Sequence, residues 1–116
     1  MPIDIEIERD DEDILVLKVL GELQGLLLND AEARLRGLTL AGSRPVVLDL
    51  SELMALDENG VRLLIRLARA LHTKRSKLSI ARPNAFVERS LRMANLHTLI
   101  PIFATVDEGL ECLEIA

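Results

Sequence analysis

The stretch "VVLDLSELMALDENGVRLLIRLARAL", residues 46–71, decides the fold. Its first part, 46–53, is a short and nearly continuous apolar run, as expected of a central strand covered on both faces. Its last part predicts a helix over 60–73. There Val61, Leu64, Ile65, Ala68 and Leu71 recur at helical spacing and should lie on a sheet. Between the two, "LDENG" (56–60) places two acids, an amide and a glycine where the chain turns from strand to helix.

Working outward, "PIDIEIE" puts Ile3, Ile5 and Ile7 on one face and Asp4, Glu6 and Glu8 on the other, the period-2 pattern of a half-exposed strand. A charged turn at 9–13 and a second strand at 14–21 complete an antiparallel hairpin. Apolar residues at 28, 31, 35 and 38 predict a helix from Leu28 to Leu40, capped by Asn29 or Asp30. Beyond the central stretch come a strand at 78–81 and an amphipathic helix within 82–96 with Asn84 as cap. A short strand at 99–103 follows, placed at an edge because Pro101 cannot donate a ladder hydrogen bond. A helix at 105–115, capped by Thr105 or Asp107, ends the chain. The order is ββαβαβαβα. Alternation after the hairpin implies an α/β fold with a mixed, mostly parallel sheet of about five strands, right-handed crossovers and helices packed on it. The expected organisation is a single domain over 1–116, with no repeat or linker.

Composition narrows the function. Hydrophobic residues make up 49% of the 116, but only Phe86 and Phe103 are aromatic, so aliphatic side chains must fill the core. The net charge of −5 and the scarcity of aromatic side chains argue against nucleic acid as a partner. The acidic, alternating N-terminus is not a signal or transit peptide, and no run approaches the ~20 apolar residues of a membrane span. A cytoplasmic protein without direct membrane insertion is expected. The one cysteine, Cys112, is expected to be a small buried thiol.

Chemistry is sparse. His72, near a helix end, and His97, in a turn, have no motif around them, and together with Cys112 they match no zinc-ligand spacing. No dinucleotide fingerprint or Walker A sequence occurs. Cofactors and catalytic residues are therefore expected to be none. Asp57 and Glu58 are adjacent acids, but the alternating ligands of a calcium loop are missing, because the chain becomes "VRLLIRLARAL" at once. Locally, Asp57 or Asn59 can cap the helix, Glu58 can complement its dipole, and Gly60 can permit a tight entry. Arg62, Arg66 and Arg69 then form one stripe, read either as a solvated face or as a charged docking surface beside the loop.

"GELQ" (21–24), the stretch 46–71, "KLSIARPNAFVERSLRMANL" (77–96) and "LIPIFATVDEGLECL" (99–113) together resemble the STAS domain of bacterial anti-sigma factor antagonists. The resemblance covers essentially the whole chain and implies a sheet with helices packed on it. It also implies a non-catalytic, protein-binding regulator. Its partner would be an anti-sigma factor of the histidine-kinase-like ATPase fold, whose capture releases a sigma factor. In that family the loop usually reads Asp-Ser-Ser-Gly, and the partner phosphorylates the serine before the glycine. By position, Asp57 matches the acid and Gly60 the glycine. Glu58 replaces the first serine, and Asn59 stands at the phosphoacceptor-equivalent position, where it is not phosphorylatable. Gln24 stands where many members have Asp. The implied partner-binding loop is Asp57, Glu58, Asn59 and Gly60, flanked by Gln24, Arg62, Arg66 and Arg69. Alternative roles are an accessory subunit of a lipid-transport ABC complex and a stress-signalling scaffold component. Some relatives bind nucleotides, but no phosphate loop supports that here. A homodimer through the exposed edge of strand 3–8 is a further expectation.

Overall fold

The alternation at the start of the chain builds β1 (Asp4–Asp10), antiparallel to β2 (Leu15–Leu23), and Ile3 is buried beside it. There follow α1 (Asn29–Thr39), β3 (Val46–Asp49), β4 (Leu53–Leu56), α2 (Glu58–Thr73), β5 (Leu78–Ala81), α3 (Ala85–Met93), a single 3₁₀ turn at Leu96–Thr98, β6 (Ile102–Phe103) and α4 (Val106–Ile115). The computed structural model describes residues 3–115, and the ends of the expected 1–116 range (1, 2 and 116) lie outside the described residues.

The sheet runs β1-β2-β3-β5-β6, with β4 joined to the far half of β2. Only β1–β2 is antiparallel; β2–β3, β2–β4, β3–β5 and β5–β6 are parallel. Both faces of the central strands are covered, which is why β3 and β5 are buried at every position. Leu15, Leu17, Leu48 and Ile80 face a core closed by Leu35 of α1, Leu64 and Leu67 of α2, and Val87 and Leu91 of α3. Val16, Val47 and Ala81 point the other way, toward Val106 and Leu110 of α4.

The apolar run 46–53 is not one strand. Asp49 accepts a hydrogen bond from Ser51 N (2.9 Å), and this Asx turn ends β3 after four residues. The chain resumes as β4 against Gly21, Glu22 and Leu23, the part of β2 that extends past β3. A sixth strand therefore joins the sheet just before the loop at 57–60.

Three local expectations change. Neither Asn29 nor Asp30 caps α1: the N-cap is Leu28, with no side-chain bond, and both polar residues already lie in the first turn. There Asp30 complements the dipole instead. The last strand is two residues long and does lie at the sheet edge. Cys112 is exposed, not buried, because α4 packs through Val106 and Leu110, one turn apart on the same side, and residue 112 falls on the other. Asn84 caps α3 by accepting from Val87 N (2.9 Å), and Thr105 receives Glu108 N at the start of α4 (3.1 Å). Strand β1 is the opposite edge, broken by a bulge between Ile7 and Arg9 and lined with charge.

Candidate functional site

The loop between β4 and α2 is held by one carboxylate. Asp57 has extended backbone (φ −113°, ψ −172°) and is the N-cap of α2. Its Oδ1 accepts from Gly60 N (3.0 Å), and its Oδ2 accepts from Gly25 N (2.8 Å) in the β2–α1 loop. Asp57 N donates to Leu23 O (3.2 Å), so backbone and side chain both tie this loop to the end of β2. Partial desolvation pushes the Asp57 carboxyl up, but the N–H groups of Gly25, Gly60 and Asn59 outweigh it and hold the group below its ordinary value.

Gly60 is required by contact, not by dihedral angle, since its φ is not positive. A Cβ on it would lie 2.1 Å from Leu23 O and 2.7 Å from Leu56 Cδ1. The first turn of α2 therefore rests directly on the backbone of β2, and Asn59 is presented beside it, half-exposed and without a side-chain hydrogen bond among the described residues.

The flanking charges are largely engaged within the chain. Glu58 pairs with Arg62 one turn on (2.7 Å), with both side chains well exposed. Arg66 reaches across to Glu32 of α1 through Nη2 (2.6 Å) and Nε (3.1 Å), and Arg36 reaches the same carboxylate (3.2 Å). The Arg66 guanidinium, aided by Arg36, holds the Glu32 carboxyl below its ordinary value against its desolvation. Arg69 has no ion pair among the described residues. Gln24 is exposed, donates to Glu22 (3.2 Å), and adjoins the Gly25 that Asp57 grips. Gln24, Asp57, Glu58, Asn59, Gly60 and Arg62 thus come together at one end of the molecule. Arg66 and Arg69 trail up the helix, Arg69 about 14 Å beyond Gly60 at 1.5 Å per residue.

One feature of this end has little signal in the sequence. Leu26 and Leu27 are 88% and 93% exposed, and Met54 and Phe86 are each 68% exposed. Leu26 follows the gripped Gly25, Met54 lies on β4, and Asn84, two residues before Phe86, donates to Leu53 O (2.8 Å). The available hint was "GLLL" (25–28), where Leu26 and Leu27 fall outside the helical series that Leu28 begins. Among the described residues, no cluster of three potential ligands could hold a metal ion, and no helix is long and apolar enough to cross a membrane.

Known proteins resemble this arrangement throughout. Similar in structure is the anti-sigma factor antagonist SpoIIAA of Bacillus in its unphosphorylated form (TM-score 0.77, 18% identity, covering 97% of this chain and 98% of that one). So is a putative anti-sigma factor antagonist from Thermotoga maritima (0.82, 19%, covering 95% and 94%). The murine anion transporter Slc26a9 is similar over 93% of this chain but 19% of its own (0.80, 10% identity). At these identities the likeness shows the fold. No curated protein matches the sequence. The STAS domain model matches residues 4–109, which include both β-strand edges, the loop and its flanks, and the chain belongs to the STAS domain family.

Proposed function

We propose that this protein is a non-catalytic binding module of the anti-sigma factor antagonist type. Its docking surface is the loop Asp57–Gly60 with Gln24, Arg62, Arg66 and Arg69 beside it. Its partner is an anti-sigma factor of the histidine-kinase-like ATPase fold, and binding frees a sigma factor. The observation that carries the reading is the double grip of Asp57 on Gly25 N and Gly60 N, which holds Asn59 outward on a rigid helix start.

Loss of the phospho-switch follows from chemistry. Asn59 has no hydroxyl, so it cannot gain the −1.5 to −2 charge of a phosphoserine. Glu58 is a poor substitute, because its carboxylate turns to Arg62. Residue 59 is therefore uncharged, as in an unphosphorylated antagonist, the extra charge of Glu58 is offset by Arg62, and the loop binds constitutively.

The test is affinity capture from the native cell, with mass spectrometry of the partner and of this protein. The expected result is an ATPase-fold anti-sigma factor and no modification at residue 59. Asn59→Ser, given that partner and ATP, should become phosphorylated and dissociate. Recovery of no such partner, or a recovered partner that neither phosphorylates nor releases Asn59→Ser in the presence of ATP, refutes the proposal. A second reading is an accessory subunit of a lipid-transport ABC complex; STAS domains do occur with transporters, as in Slc26a9 and a Vibrio cholerae SulP transporter, which this fold resembles. Capture of a transporter ATPase subunit would decide for it, and a large multi-protein particle would point to a stress-signalling scaffold.

A further inference from the structure

About 18 Å along α2 from Gly60 (at 1.5 Å per residue), at the opposite end of the helix, lies a groove of about 660 Å³. It straddles the sheet edge between the last turns of α2 and α4, where β6 is too short to cover the start of β5. Ala68, Leu78, Leu99, Pro101 and Phe103 give it an apolar lining. Leu99 is 53% exposed there, in a chain whose other large apolar residues are mostly buried. Arg69, His72 and Lys77 stand among the same lining residues, and among the described residues no Asp or Glu does. That local balance opposes the chain's own, which has 19 acids to 14 bases. None of the three has an ion pair among the described residues, unlike Arg66 and Arg62 on the same helix.

A groove of this size with an apolar lining and a few polar groups has the general form of a small-ligand site, for which roughly 300–1,000 Å³ is usual. We infer that it binds an amphipathic monocarboxylate, an acyl chain lying on Leu78, Leu99, Pro101 and Phe103 with its carboxylate at Arg69 and Lys77. Charge complementarity selects this occupant over a neutral or cationic one. The C-terminal end of α2 opposes an anion with a dipole equivalent to roughly half a negative charge. Two permanent cations exceed it, and the carbonyls of Leu71 and His72 are already taken by the N–H groups of Lys74, Arg75 and Ser76. The groove shares Arg69 with the flank of the proposed docking surface but is otherwise separate from the loop at 57–60, and it holds whether or not that loop docks a partner.

Cys112, exposed and lining the groove, is the chain's one cysteine and therefore a built-in reporter. The rate of its modification by an uncharged maleimide is followed by intact mass while dodecanoate is titrated below its micellar range. Dodecanoate should slow the reaction at least fivefold and saturably. Dodecyltrimethylammonium and acetate, which keep only the chain or only the carboxylate, should not. Arg69→Ala with Lys77→Ala, both at exposed positions, should raise the half-protecting concentration at least fivefold while circular dichroism stays unchanged. Calorimetric titration of dodecanoate on the uncapped protein should give a saturable heat, and the double substitution should weaken it to the same extent. Equal protection by the cationic amphiphile, no protection by dodecanoate, or indifference to the double substitution would overturn the inference. So would protection by phosphatidylglycerol vesicles without any by monomeric dodecanoate, which would identify a membrane-surface patch instead.

Discussion

Replacement of Gly60 by alanine tests the construction of the loop more directly than any change of charge. The added Cβ meets Leu23 O at 2.1 Å and Leu56 Cδ1 at 2.7 Å. The leucine side chain can rotate away, but the Leu23 carbonyl belongs to β2, where Leu23 pairs with Leu56 of β4. Helix and strand must separate by roughly 0.9 Å to reach 3.0 Å, below which real Cβ contacts are essentially not seen. Overpacking of this kind costs about 1–3 kcal/mol. The separation also strains the bond from Asp57 N to Leu23 O, worth about 1 kcal/mol. Alanine's better helix propensity returns about 1 kcal/mol. The net expectation is a loss of about 1–3 kcal/mol, or roughly 5–15 °C in melting temperature for a chain of this size. Far-UV circular dichroism during thermal and urea unfolding is the assay, since the chain has no Trp or Tyr to report by fluorescence. Gly37→Ala, in α1, is the control: nothing lies within 4 Å of its Cβ, so it should gain up to about 1 kcal/mol. If Gly60→Ala melts at or above the parent, as Gly37→Ala should, the close approach of α2 to β2 is wrong.

Asp57→Ala should cost about 1–2 kcal/mol, and Asp57→Asn less, because the amide oxygen still caps Gly60 N but its nitrogen cannot accept from Gly25 N. The folded-state carboxyl of Asp57 is lowered, so its contribution is complete above the ordinary carboxylate range and is lost as pH falls below about 4. Urea midpoints across pH 2–7 should therefore fall more steeply for the parent than for Asp57→Asn, and parallel curves would contradict this. Glu32→Gln removes the link between α1 and α2 and should lower stability by less than about 1 kcal/mol, an effect that shrinks in 0.5 M salt because Arg66 is half exposed. Arg82→Ala leaves the fully buried Asp49 carboxylate with the Ser51 N–H and the neighbouring Glu8 carboxyl but without its cation at 3.4 Å. A loss of about 1–2 kcal/mol in urea unfolding is expected, and no loss would show that the pair is incidental.

The sequence by itself determined the elements whose signal is local. The 3.6 period of Val61, Leu64 and Leu71 and the caps at Asp57 and Asn84 were legible because a helix is written by residues a few positions apart. The hairpin was legible from the alternation of Ile3 and Ile5 with Asp4 and Glu6. The motif residues of the loop were readable in the same way, as a string of five. Tertiary structure alone decided what those residues touch. Asp57 meets Gly25 across 32 positions, Arg66 meets Glu32 across 34, and the missing side chain of Gly60 is filled by a carbonyl of another strand. The same holds for the break after Asp49, which became a strand only because β2 extends past β3 and left unpaired backbone to cover. Local pattern records backbone preference and which face is apolar. Partners brought together by chain crossovers leave no periodic trace, since their spacing in sequence is set by loop length and not by geometry.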